Sequence, residues 1–288
     1  MRKSLCILVI ILAIGTIAYP LIAEKVNSKK QEEIVLQQEE LIANADEATL
    51  SSALAKALKY NQELSNGNFE NDIEEYNSLL NLSGTGVMGF IEIPCIAVKI
   101  AIYHGCDDES LSKGVGHLYG TSLPVGGQGT HVFLSGHTGM NNQKIFTDLE
   151  QLEIGDLFYI SAVGNSYVYS VEEIRVVDPY SQDVIRTATI DEDRVTLITC
   201  TPYGVNSHRL IVTGKRIILE EQDEEVIKKE DIVVKRSSWE MQYQKAITAG
   251  LGVFALILAI CLGTKKIVDV RQARNRKRSN QDSSNLQL

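Results

Sequence analysis

The central part of this chain predicts a mainly β domain, a closed barrel or a sandwich of short strands, flanked by helical segments. Three observations predict it. Short runs rich in Val, Ile, Tyr, Phe and Thr recur between residues 87 and 219. Turn signals (Pro124 to Gly129, Gly155-Asp156, Gly164-Asn165) separate them. Two long apolar runs, Leu5–Ala23 and Ala246–Thr264, frame the whole.

Each apolar run has 19 residues and no charge, close to the ~20 residues that span a bilayer as a helix. Arg2 and Lys3 precede the first, and seven basic residues from Lys265 to Arg278 follow the second. The positive-inside rule then predicts cytoplasmic ends, residues 1–4 and 265–288, and an exterior middle. The first run is long for a cleaved leader, and Leu21-Ile22-Ala23 is a poor cleavage site, so an uncleaved anchor is the expectation. For the second run the competing reading is a buried core helix; the basic cluster behind it favours an anchor.

Residues 24–84 read as a helical stalk or extension. Leu50, Leu54 and Leu58 recur at i, i+4 among alanines, and Asn66-Gly67-Asn68 marks a break. A stalk lifting the domain off the membrane and helices packed on the domain are both consistent with this pattern. The barrel is expected over 85–220. Its strands are expected at Phe90–Pro94, Val98–Tyr103, Thr130–Ser135, Leu157–Ser161, Tyr167–Val177, Arg194–Thr199 and Arg209–Leu219, with a short helix within Ile145–Leu152. Residues 221–245 form a charged linker, in which Trp239 and Tyr243 suit a membrane interface.

Residues 24–245 hold 35 acidic and 19 basic side chains, an excess that argues against nucleic acid as a partner. Five cysteines are present; Cys6 and Cys261 lie in the apolar runs. Cys95, Cys106 and Cys200 would be exterior, and their spacing neither requires nor excludes a Cys95–Cys106 disulfide. No zinc-like spacing or calcium-loop pattern occurs, so no metal and no organic cofactor is expected.

Three residues carry a candidate chemistry. Cys200 ends the strand-like run Val195–Thr199 and precedes the turn Thr201-Pro202-Tyr203-Gly204, which puts a thiol at a sheet rim. Arg209 begins the next apolar run. His137 follows Phe133-Leu134-Ser135-Gly136; His131 would share its strand face, so spacing does not separate the two. His104, His117 and His208 also compete, and His208 should point away from Arg209 across its strand. A thiol, an imidazole and a fixed cation suffice for acyl transfer through a thioester.

Thr196-Leu197-Ile198-Thr199-Cys200 resembles the TLxTC signature of the sortases, cysteine transpeptidases of Gram-positive cell surfaces. The run Cys200–Leu210, with Gly129-Thr130-His131, Ser135–Gly139 and Ile145–Leu149, resembles the pilus-assembling class, class C. The resemblance covers roughly residues 85–220. It implies a barrel of about eight strands, and it favours His137 over His131 as acid/base, with Cys200 as nucleophile and Arg209 as oxyanion donor. It further implies cleavage of an LPxTG-like signal between Thr and Gly and transfer to a pilin lysine. Partners would then be secreted pilins or surface proteins and the membrane. Rival readings are attachment of proteins to a cell-wall peptide amine, a thiol hydrolase, and a catalytically silent peptide receptor. Class C sortases usually carry an Asp-Pro-aromatic lid; Leu79–Gly84 lacks it, and Asp178-Pro179-Tyr180 lies between later strands. The expectation is a weak lid using Leu82, or none.

Overall fold

The computed structural model describes residues 2–68, 72–139, 144–181, 192–218, 234, 235, 237, 241–254 and 263. The chain forms two compact units, residues 1–237 and 238–288. In the second unit, residues 241–254 are helical.

The first unit is built on a closed barrel. Its strands are β1 (Val87–Ile93), β2 (Val98–His104), β3 (Val115–His117), β4 (Thr130–Ser135), β5 (Leu157–Ala162), β6 (Asn165–Val177), β7 (Asp193–Thr201) and β8 (His208–Ile217). They close in the order β1-β2-β3-β4-β7-β8-β6-β5. Most neighbours are antiparallel, but β2–β3 and β4–β7 are parallel. Alternation sets the core: Val132 and Leu134 of β4, Val195 and Leu197 of β7, and Leu210 and Val212 of β8 point inward. Gly214 is required by close approach, since a Cβ there would lie 2.4 Å from Phe158 Cε1.

Seven of the strands fall where the sequence predicts them. The eighth, β3, has three residues and shows no alternation to read. The helical turn expected in 145–152 is a 3-10 turn, Leu149–Gln151. A short helix, α4 in chain order (Asp108–Lys113), also went unpredicted; the Asp107 side chain caps it by accepting from Ser110 N at 2.9 Å.

Before the barrel come α1 (Arg2–Asn44), α2 (Glu47–Ser65) and α3 (Ile73–Ser78). Among the described residues no helix is long and apolar enough to cross a membrane. The side chains of 2–10, 12–14 and 21 lie outside that description, as do residues 255–262 and 264. About half of each expected anchor, 5–23 and 246–264, falls on them.

The distal half of α1 packs on β2: Val35 is buried, and Ile34 packs against Val87, Ala101 and Tyr103. Lys99 pairs with Glu39 at 3.0 Å and Lys144 with Glu24 at 2.8 Å. On α2 only Leu54 of the leucine row reaches the core. Ala53, Leu54, Ala57 and Tyr60 meet the core, while Leu58 is exposed. Small Ala57, fully buried, lets the helix approach closely. Beside it, buried Asn61 donates to Leu123 O at 3.1 Å and accepts from Leu123 N at 2.7 Å, completing a backbone pair as a strand neighbour would.

The segment after α2 is tied in by polar contacts. Tyr76 Oη lies 2.9 Å from His117 Nδ1 and accepts from Gly105 N at 3.1 Å. His117 Nε2 lies 2.8 Å from Ser122 O, so this nitrogen carries the proton and Nδ1 accepts from Tyr76. Leu79, Leu80 and Leu82 pack on the barrel core; Leu82, the lid candidate, is a packing residue here. Burial pushes the His117 pKa down to about 4.

Two outcomes follow from these ties. Asn61→Ala strands both backbone groups of Leu123 and should lower unfolding free energy by about 2 kcal/mol, read as a urea-midpoint shift. His117 resists protonation in the fold while the unfolded chain takes it up below pH 6.5. Its contribution is therefore complete above pH 6.5 and declines toward pH 4, by an amount on the order of 3 kcal/mol. Urea midpoints of His117→Asn across that window should fall less steeply than those of the parent.

Candidate functional site

Strand register decides which residues meet. Cys200 and Arg209 are direct partners in the antiparallel β7–β8 ladder, so their side chains leave the sheet on one face. In the parallel β4–β7 ladder Ser135 pairs with Ile198. Cys200 stands two residues further along β7, and His137 two residues past Ser135, just beyond the end of β4. The outward series His131, Phe133, Ser135 on β4 matches Arg194, Thr196, Ile198, Cys200 on β7 and ends at His137. Cys200 and Arg209 thus share one row on the outer face of β7 and β8, and the β4 register carried past its end leads to His137 at that level.

The same register separates the two histidines. His131 pairs with Arg194, six residues or about 20 Å of strand from Cys200. It is buried, and its Nε2 lies 2.7 Å from Thr196 Oγ1, which in turn lies 2.9 Å from Thr213 Oγ1. His104 and His117 are buried in the ties to the N-terminal segment. His208 is exposed beside Ser207 Oγ, at 2.9 Å.

The turn bearing His137 is held from several sides. Gly136 N donates to Ile198 O at 3.0 Å, and Thr199 Oγ1 donates to Gly136 O at 2.7 Å. Phe146 N donates to His137 O at 3.1 Å, and Gly139 N to Thr147 Oγ1 at 3.2 Å. Residue 136 must be glycine, since a Cβ would sit 2.6 Å from the buried Phe146 ring. Tyr203, from the turn after Cys200, lies over Gly139; burial and then the Asp148 charge raise its pKa.

Cys200 is half-buried and free, and the His137 and Arg209 side chains are half-buried. Arg209 Nη1 donates to His208 O at 3.2 Å and Asn206 O at 3.4 Å, and no acid among the described residues pairs with it. Its charge is therefore open to an incoming anion. Cys95 and Cys106 are also free, so no Cys95–Cys106 disulfide forms. Burial, then nearby Asp156 for Cys95 and Asp107 for Cys106, pushes both thiols up to about 11. Among the described residues no His, Cys, Asp and Glu cluster could hold a metal.

Thr199 was read only as part of the run before Cys200, with no role of its own. It is a polar residue on an inward position, 3% exposed, and such a residue calls for a partner. Tyr203, Thr147 and Asp148 were missed as well, because their role is contact between loops.

A Sortase domain family model matches residues 91–217. Sortase D of Bacillus subtilis is 30% identical over 132 residues, 45% of this chain and 63% of that protein. With sortase A of Bacillus anthracis, matched over 59% of its length, this means the chain spans about six-tenths of these relatives. A solved structure of Clostridium perfringens sortase C with the C-terminal cell wall sorting motif is 42% identical. The match covers 65% of this chain and 99% of that one, with a TM-score of 0.58. Sortase C1 of Streptococcus agalactiae matches at 36% identity and a TM-score of 0.62, over 65% of this chain and 100% of its own. With a barrel that sets Cys200 against Arg209 and with relatives sharing it over their full solved length, this chain belongs to the sortase family, among which its structural likeness is to class C.

Proposed function

We propose that this sortase is a cysteine transpeptidase of the pilus-assembling class, held in the membrane by 5–23 and 246–264 with the barrel outside and both termini cytoplasmic. The observation that carries the reading is the pairing of Cys200 with Arg209 across β7 and β8, with the β4 register leading to His137. The likeness to sortase C structures, one of them with a cell wall sorting motif, supports the substrate class.

The reaction has two halves. The Cys200 thiolate attacks the threonyl carbonyl carbon of an LPxTG-like signal. Arg209 donates hydrogen bonds to the oxyanion that forms, in the fork geometry that suits a developing negative charge. The intermediate collapses, the Thr–Gly bond breaks, and His137 as imidazolium gives its proton to the departing glycine amine. A threonyl thioester remains. The lysine amine of a pilin then attacks it, neutral His137 takes the amine proton, and the thiolate leaves as the isopeptide bond forms. No redox step or external energy source is needed, because one amide replaces another. Two anchors would keep enzyme and membrane-held substrate in one plane and raise their effective concentration.

A fragment spanning residues 27–245, an LPxTG-type peptide and hydroxylamine as acceptor make the test. Mass spectrometry should show threonyl hydroxamate from the parent and none from Cys200→Ala; product from that variant, or none from the parent, overturns the reading. Arg209→Lys should lower kcat/KM roughly 100- to 1000-fold, since lysine keeps the charge but loses the fork. A pilin fragment with a free lysine, supplied instead of hydroxylamine, should be captured in an isopeptide-linked product.

A further inference from the structure

After β8 the chain returns to the barrel. Lys235 N donates to Cys95 O at 2.7 Å. Its ammonium donates to Gln151 O at 2.8 Å and Asp156 Oδ2 at 3.0 Å, and lies 3.4 Å from Glu153. Two residues on, Ser237 is 4% exposed, and its hydroxyl donates to Asp148 Oδ1 at 3.0 Å. Asp148 is itself 3% exposed and accepts on the same oxygen from Gln151 Nε2 at 2.9 Å.

These contacts grip one small element from both ends. Asp148 is the residue before the 3-10 turn Leu149–Gln151, and Gln151 is its last. The Asp148 carboxylate does not cap its own turn. It faces Ser237 instead. Immediately before it stand Thr147 and Phe146, the residues that accept from Gly139 N and donate to His137 O. Asp148 also acts on Tyr203, which lies over Gly139. A buried carboxylate deprived of a donor must find another or move. Here, movement would pass through two residues to the backbone that carries the imidazole.

We propose that Lys235 and Ser237 are the positioning residues of a strap, acting through Asp148 and the 3-10 turn to hold His137 level with Cys200. The inference rests on the proposed role of His137. A consequence is that the segment joining the barrel to the C-terminal apolar run is part of what makes the enzyme competent, rather than a spacer.

The test uses the full-length chain in detergent micelles, comparing the parent with Ser237→Ala, Lys235→Met, the double variant and Ser237→Thr. Hydrogen exchange at the Gly139 and Phe146 amides reads the turn without any activity, so failure of the catalytic reading leaves this arm intact. In Ser237→Ala both amides should exchange about tenfold faster, and kcat for peptide cleavage should fall about tenfold with KM within twofold. The double variant should lose more, and Ser237→Thr, which keeps the hydroxyl, should restore both readouts. Exchange and kcat within twofold of the parent in the double variant overturn the proposal. So does a lowered melting temperature with those two quantities unchanged, which would mark the strap as stabilising only. A parent without cleavage activity, but with the exchange effect present, overturns the catalytic reading and leaves the strap as a structural brace.

Discussion

The pairing of β7 with β4 on one side and β8 on the other is the constraint on which the rest depends. One ladder is parallel and the other antiparallel, so the ends of β4 and β7 and the start of β8 meet at a common level, although β4 is far from the other two in sequence. A one-residue slip in either ladder would send one of the three side chains to the opposite face. Several features guard the register. Thr199 ties Gly136 from below, Gly136 makes room for Phe146, and Phe146 holds the His137 carbonyl. The site is thus an outcome of ladder geometry reinforced by side-chain contacts behind it, and its precision comes from rigid strands rather than from the turns alone.

What could be read in the sequence followed from strong local signals. Cys200 stood out because a β-rich run stopped at a thiol and a proline-glycine turn. Seven strands were visible as apolar or alternating runs. The choice between His131 and His137 was not available from spacing, because both occupy the same face; only the partner strand's register separates them. The leucines of α2 formed a legitimate helical row, yet the buried row runs through Ala53, Ala57 and Asn61, where small and amide side chains permit close approach. Val115-Gly116-His117 carries too few residues for periodicity. Lys235 and Ser237 sit in a charged stretch, where nothing local announces long-range partners 79 and 89 residues away.

The N-terminal extension shows how buried polar groups specify a docked arrangement. Asn61 pairs with both backbone groups of Leu123, and Tyr76 joins His117 to Gly105. Each group needs a particular partner, so sliding the segment along the barrel would orphan several donors and acceptors at once. Apolar packing by Leu79, Leu80 and Leu82 supplies attraction; the polar pairs supply the address.

Closure of the barrel has a consequence for how an extended peptide can be recognised. Each strand is laddered on both sides, with β1 and β5 sealing the ring. Along most of β7 and β8, paired on both sides, the described wall offers no row of idle amides and carbonyls onto which a guest chain could be zipped. Beside Cys200 and Arg209, a guest peptide would instead meet projecting side chains and the turns at the rim, whose contacts depend on the identity of each guest residue. Discrimination among guest sequences is thus favoured there, since main-chain adhesion, which would accept almost any polypeptide, finds no open edge along these two strands.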